Sequence, residues 1–483
     1  MELKDDIRSL VAEMLQELNS EQAEPATAPA SVQPQPSAPA IVGNGIFADV
    51  EGAIKASRIA HQELIKLSLE TRGNIIAAMR AKALDCNEVM ARKATEETGF
   101  GCYHDKMVKH ELVATRTPGI EDLQAGAFTD DNGMTLVERA PYGVIGAIIP
   151  STNPSSTVIN NGIGMIAGGN SVVFAPHPGA KEVSCMAISF MNEAIQSAGG
   201  PVNLIAGLGR PSIEAANTLM KHPDINLLVV TGGPAVVRAA MNSGKKVIAA
   251  GPGNPPVVVD ETADIAKAGK DICDGGGFDH NVICICEKEI IAVASIADRL
   301  KAEMQKNGAV ELNAEQIDAI TKLVISDPGG PGHEGVVNKD FVGRSAQYIA
   351  QQIGVDVPKE TKLLLCEVGR EHPLMWTEQL MPVMPLTRIA NVDDAIDLAV
   401  QCEHGFRHTA IMHSLNISKL SKMAKAMNCA IFIKNGPSYA GLGAGGAGFT
   451  SFTIASPTGE GLTRARTFTR ERRCTLVDFF RIV

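Results

Sequence analysis

Ten cysteines are scattered through the chain, and one of them has a setting unlike the others. Cys284 lies in DGGGFDHNVICICEKEI, where a glycine-rich turn and the polar trio Asp279, His280 and Asn281 lead into an apolar stretch. Such a setting presents a nucleophile at the mouth of a sheet. A thiolate there is a nucleophile able to form a covalent intermediate. The competing reading is general: an unpaired cysteine is more often a small buried hydrophobe. Cys286, two residues on in what reads as a strand and facing the same side as Cys284, is assigned that structural role.

Two glycine clusters invite a dinucleotide reading. Gly441, Gly443 and Gly446 in GLGAGGAG match G-x-G-x-x-G, but the fingerprint has meaning only between a strand and a helix. The β- and turn-like FTSFTIASPTGEG follows, so the run reads as a close-approach loop. Gly232 and Gly233 instead follow the apolar NLLVVT and open PAVVRAAM, which sets their amides at a helix N-terminus, a ready anion site. Glycine serves many such turns for geometry alone. His404, His408 and His413 lie near Glu403, but their stretch passes from a turn into a strand, which separates the rings. No other Cys/His/Asp cluster completes a tetrahedral set, so no metal is expected.

These residues need a scaffold, and the chain shows its pattern. After Leu136, short apolar β-rich runs (GVIGAIIP, SVVFAP, INLLVVTGG, PPVVVDE) alternate with helical segments (EVSCMAISFMNEAIQSAG, SIEAANTLMKH, AVVRAAMNSG). That alternation predicts a parallel sheet with helices on its faces. From 282 it repeats with ICICEKEIIAV, helices at 295–307 and 314–323, TKLLLCEV, DDAIDLAVQ, HTAIMHS and AIFIKNG. Two tandem α/β domains joined near residue 253 are expected. Ahead of them the texture changes from about Gly43, and residues 51–99 are continuously helix-periodic, with a break near Ser68.

The first forty residues have another texture. Leu3, Ile7, Leu10, Val11, Met14, Leu15 and Leu18 recur at helical spacing opposite an acidic face, and a Pro/Ala-rich stretch follows. The reading is an amphipathic helix over 1–20 on a linker over 21–42, docking on a different protein; a helix folding back on its own core would need no such tether. With 483 residues, 45% hydrophobic and 20% charged, the chain has room for two or three domains. A net charge of −10 gives no basic field for nucleic acid. No apolar run approaches the ~20 residues of a membrane span, and MELKDDIRSL lacks the basic and apolar regions of a secretory signal. A cytoplasmic protein with reduced thiols is expected.

From about Gly43 to Val483 the chain resembles the aldehyde dehydrogenase superfamily, and within it the CoA-acylating acetaldehyde and propionaldehyde dehydrogenases of ethanolamine and propanediol utilisation. The resemblance rests on an ordered set: ERAPYGVIGAIIPSTNP, FAPHPGAK, LVVTGG, AAGPGNPPVVVDETAD, FDHNVICICEKE, TEQLMPV, EHGFRHTAIMHS, KNGPSYAGLG, PTGEG and RRCTLVDFFRIV. It implies an aldehyde dehydrogenase-like α/β fold: two Rossmann-like parallel-sheet domains, cofactor-binding over 43–253 and catalytic over 254–468. It also implies a small β oligomerisation element made of a hairpin at 128–141 and a strand at 469–483. Cys284 falls on the catalytic thiol and Asn153 on the amide that helps hold the oxyanion. The cofactor positions fall on Pro150, Ser151, Thr152, Pro176, His177, Pro178, Thr231, Gly232, Gly233 and Gly251. Glu378 falls on the carboxylate that binds the nicotinamide ribose. His408 is a candidate base for the thiols, against a purely structural histidine.

One departure carries chemistry. Hydrolytic members of the superfamily keep a general-base Glu in E-L-G-G-K; here the position reads A-G-P-G-N, with Ala250 in its place. Without that carboxylate nothing activates water, whereas a thiol with a pKa near ~8.5 is already a few per cent thiolate at neutral pH. The resemblance therefore implies NAD and coenzyme A as cofactors and a ping-pong reaction that gives acyl-CoA. A second departure, Ala447 where relatives read G-G-E-G, has no assigned consequence. A dehydrogenase yielding free acid and an inactive scaffold acting through its N-terminal helix stand as alternatives. The expected partners are the aldehyde, further copies of the chain as dimer or tetramer, and microcompartment shell proteins reached by residues 1–20.

Overall fold

The computed structural model describes residues 44–483; the expected helix over 1–20 and linker over 21–42 lie outside the described residues. Helices at Val50–Leu64, Leu69–Asp85, Asn87–Thr98 and Tyr103–Arg116 come first. Asp49 and Ser68 cap the first two by accepting from Gly52 N–H and Thr71 N–H, the side-chain capping that satisfies a helix's orphan donors. The break near Ser68 is thus a helix start, and Cys86 marks a second one.

Two parallel sheets follow. The first has strand order β1-β6-β5-β4-β7-β8, built from β1 (Ile46–Phe47), β4 (Val144–Ile148), β5 (Ser171–Ala175), β6 (Ile205–Leu208), β7 (Leu227–Thr231) and β8 (Val247–Ala250). Its central strands are buried along nearly their whole length, which explains why they are continuously apolar rather than alternating: helices cover both faces. The second sheet has order β11-β14-β15-β10-β9-β16-β17, with β9 (Pro256–Val259), β10 (Glu289–Val293), β11 (Ala309–Glu311), β14 (Leu363–Glu367), β15 (Val383–Ile389), β16 (Thr409–His413) and β17 (Ile431–Lys434). An antiparallel sheet joins β2 (Gly126–Asp130), β3 (Gly133–Pro141) and β20 (Thr469–Val477). Two small antiparallel pairs, β12 (Ile325–Asp327) with β13 (Val336–Val337) and β18 (Ile454–Ala455) with β19 (Gly461–Leu462), complete the strands.

The helix Pro154–Ala167 is buried along its whole length. Its asparagines clamp the returning chain: Phe452 N–H donates to Asn160 Oδ1 at 3.0 Å and Thr453 Oγ1 to Asn161 Oδ1 at 3.1 Å.

Two expectations are corrected. Gly275, Gly276 and Gly277 form no turn; they are the last residues of the helix Ile265–Gly277. Cys284 and Cys286 do not lie in a strand; β10 starts only at Glu289, and the residues before it form turns. Asp279, His280 and Asn281 take consecutive positive φ values of 48°, 52° and 63°, which no strand accommodates. The ladder to β9 begins where Glu289 meets Pro256, so 282–288 has no strand to pair with on that side.

Candidate active site

Each candidate residue sits at a strand end, and the ends fall into two sets. In the first sheet, β4 runs into Pro150, Ser151, Thr152 and Asn153, β5 into Pro176, His177 and Pro178, β7 into Thr231, Gly232 and Gly233, and β8 into Gly251. All are carboxyl ends. Chain order proceeds outward from β4 to β5 and β6, then resumes on β4's other flank with β7 and β8. The reversal between β4 and β7 is a topological switch point, where open α/β sheets bind ligands.

In the second sheet the relevant ends are amino ends. Glu378 precedes β15, Cys284 precedes β10, Gly253 precedes β9 and His408 immediately precedes β16. Those four strands are neighbours in the order β15-β10-β9-β16. The chain crosses from the carboxyl end of β8 to the amino end of β9 through residues 251–255, which brings the two sets of ends together. Gly253 is the pivot. A Cβ there would stand 2.8 Å from His408 Cγ and 3.0 Å from the Cys284 carbonyl oxygen, so only glycine fits, and its N–H donates to Glu378 Oε1 at 3.3 Å.

Cys284 is partly exposed while Cys286 is fully buried. Burial pushes the Cys284 thiol up, to about 12, the Glu378 carboxylate adds to the shift, and the Lys288 and Lys109 charges oppose it. Glu378 is itself raised to about 7, mainly by burial. The buried His408 ring is lowered to about 4, by burial and then by the Lys288 charge; it bonds Thr409 Oγ1 through Nδ1 at 2.8 Å and has no partner at Nε2. His404 faces the Trp376 carbonyl at 2.9 Å, and His413 lies within β16.

A nicotinamide dinucleotide fits the first set of ends on two counts. The helix Pro234–Met241 starts at Gly233 with no side-chain cap, and a Cβ on Gly233 would meet nothing within 4 Å, so the helix start is uncapped and open beside Gly233. The other glycine run, 441–448, follows the short helical turn Ser438–Leu442 and opens no helix.

Three buried lysines near Cys284, Lys106, Lys109 and Lys288, escaped the sequence reading. Lys109 Nζ donates to Asn153 Oδ1 at 2.7 Å and pairs with Asp279; Lys106 Nζ reaches Asp279 Oδ2 at 3.2 Å. Lys288 Nζ donates to the carbonyls of Asn281 at 2.9 Å and Ile283 at 3.3 Å. Lys106 and Lys109 lie three apart on the helix Tyr103–Arg116, and only tertiary packing buries them.

Residues 28–320 match the aldehyde dehydrogenase family. Over 440 residues the chain is 51% identical to the acetylating acetaldehyde dehydrogenase of Escherichia coli, covering 91% of this chain and 94% of that one. Over 482 residues it is 45% identical to the CoA-propanoylating propanal dehydrogenase of Salmonella typhimurium, covering 100% and 99%. A structure of Rhodopseudomonas palustris propionaldehyde dehydrogenase with bound CoA and an acylated cysteine matches at 50% identity with a TM-score of 0.88, covering 90% of this chain and 99% of that one. The propionaldehyde dehydrogenase of the Clostridium phytofermentans fucose utilisation bacterial microcompartment matches at 47% identity and 0.88, covering 91% and 100%.

Proposed function

The chain belongs to the aldehyde dehydrogenase family, and on that premise we propose which of its residues carry the chemistry. The protein is a CoA-acylating aldehyde dehydrogenase that turns acetaldehyde or propionaldehyde into the acyl-CoA by way of an acylated cysteine. The observation that carries the residue assignment is the meeting of two sets of strand ends across 251–255, with the partly exposed Cys284 among them.

Cys284 is the nucleophile. Its thiolate adds to the aldehyde carbonyl, and the Asn153 carboxamide and the Cys284 backbone N–H take the oxyanion; losing one such donor costs roughly 3–4 kcal/mol in comparable sites. Pro150–Thr152, Pro176–Pro178, Thr231–Gly233 and Gly251 would hold NAD, Glu378 would bind its ribose, and the bound cofactor would supply the hydride acceptor. The acyl group then rests on Cys284 as a thioester until the CoA thiol attacks it. At the end of β8, Ala250 offers no carboxylate to activate water, so the thioester is passed to the thiol. His408 borders Gly253 together with the Cys284 carbonyl, and its free Nε2 gives it a place to take a proton; a pKa of about 4 makes it a weak base.

Two further assignments rest on sequence and surface. The solvent-facing β20 and the exposed Phe479, Phe480, Ile482 and Val483 form a surface for a second copy, giving a dimer or tetramer. The stripe at Leu3, Ile7, Leu10, Val11, Met14 and Leu18 addresses the enzyme to a microcompartment shell, as the likeness to an enzyme from such a compartment supports. The direct test is NADH formation with aldehyde, NAD and CoA. Cys284→Ala is expected to abolish it, and CoA-independent release of free acid would overturn the acyl-transfer reading.

A further inference from the structure

Asn153 is the N-cap residue of the helix Pro154–Ala167, yet its side chain makes no capping hydrogen bond. Asparagine is among the best N-caps because its side-chain oxygen accepts from the free amides of the first turn. Here that oxygen is engaged elsewhere, by Lys109 Nζ at 2.7 Å. Lys109 is 2% exposed, and its second partner, Asp279, is 0% exposed. Lys106, 3% exposed, also pairs with Asp279, so two buried ammonium groups share one carboxylate. Burying ions is costly unless each is well satisfied, and Lys109 is satisfied only by bridging Asp279 to Asn153.

The bridge has a direction. A lysine ammonium has donors and no acceptor, so the Asn153 group facing it must be the oxygen. The amide NH2 is therefore turned the other way, with Thr152 Oγ1 at 3.3 Å. A half-turn of the carboxamide would put an oxygen where the NH2 stands and set an acceptor against a developing oxyanion. Asp279, at the other end of the bridge, belongs to the positive-φ run that leads to Cys284. Cys102 N–H donates to it at 2.9 Å, and its own N–H donates to Asp105 Oδ2 at 2.8 Å.

We propose that Lys109 is a positioning residue for the reaction: it locks the Asn153 carboxamide with NH2 toward the substrate carbonyl and, through Asp279, ties that amide to the segment carrying Cys284. The proposal rests on the reading of Asn153 as an oxyanion donor. Without Lys109, the Asn153 oxygen returns to the helix amides as an ordinary N-cap.

A double-mutant cycle tests this on the full-length enzyme, with acetaldehyde, NAD and CoA. Asn153→Ala alone should lower kcat by about 10²–10³-fold. Lys109→Met should lower kcat by about 10–100-fold, below that ceiling, with KM for aldehyde moving far less. In the Asn153→Ala background, Lys109→Met should cost far less, no more than about 3-fold, because Lys106 still holds Asp279. Lys109→Gln keeps a donor for Asn153 Oδ1 and should recover part of the loss. It also takes over the cycle if Lys109→Met does not fold by circular dichroism. An equal loss from the Lys109 variant in both backgrounds, or no loss in either, overturns the proposal. A harmless Asn153→Ala would instead remove the oxyanion reading itself.

Discussion

The thiol of Cys284 is held protonated by its surroundings, and the neighbouring carboxylate gives that state a pH dependence. Glu378 titrates near 7. Below that it is neutral and does not oppose the thiolate; above it, its negative charge does. Glu378→Gln removes the opposing charge only where it exists. Iodoacetamide alkylation of the cofactor-free protein should therefore speed up by about 3–10-fold above about pH 8 and stay unchanged below about pH 6. Equal acceleration at both pH values would show that the carboxylate acts by shape rather than charge. The two cysteines in ICIC separate at the same scale. Cys286, fully buried, donates weakly to the Phe278 carbonyl at 3.8 Å; Cys286→Ala should keep at least half of wild-type turnover and cost about 1 kcal/mol in urea unfolding.

The turn between the helix Ile265–Gly277 and β10 is the element on which the chemistry hangs. Left-handed backbone at three successive non-glycine residues costs on the order of 1 kcal/mol or more each, and the surroundings offset it. Asp279 is anchored by Lys106, Lys109 and Cys102, and His280 Nδ1 meets the Gly343 carbonyl at 3.1 Å. Asn281 Nδ2 donates to Gly276 O at 2.7 Å and Glu287 O at 2.8 Å. Lys288 closes the turn from below by collecting the Asn281 and Ile283 carbonyls. Lys288→Met would strand the Asn281 carbonyl and carboxamide oxygens at ~1–3 kcal/mol each, while the Ile283 carbonyl keeps the Cys286 N–H. The variant should unfold at lower urea by roughly 3 kcal/mol and lose turnover, whereas unchanged stability would contradict the role given to Lys288. Sequence reading set Cys284 behind the polar residues 279–281 but took ICIC for strand, because local apolarity does not reveal where a neighbouring ladder begins. β1, β6 and β8 escaped for a related reason: two to four residues are too few to show a period.

At the scale of the molecule, the alternation of apolar runs and helical segments was enough to expect parallel sheets, and the two observed sheets contain every strand that reading listed, with the start of β10 moved. What it could not contain was the opposition of carboxyl ends to amino ends, since that depends on the short crossing at 251–255 and on strand order. The buried cations are invisible for the same reason: a lysine pair on a helix face carries no mark of what will cover it. The antiparallel β2-β3-β20 sheet leaves residues 470–483 exposed, and four of the last five residues, FFRIV, are apolar. A chain ending at Arg473 should lose native mass by light scattering while keeping its helical circular dichroism; retention of native mass would remove the surface from the assembly.

The central claim is that the acyl group passes through Cys284. Mixing the enzyme with propionaldehyde and NAD but no CoA, quenching in acid and mapping peptides by mass spectrometry tests it most directly. A propionyl group should be found on the peptide containing Cys284, in an amount matching one burst of NADH, and should disappear when CoA is added before the quench. An acyl group on any other residue, or full CoA-dependent turnover in Cys284→Ala, would contradict it.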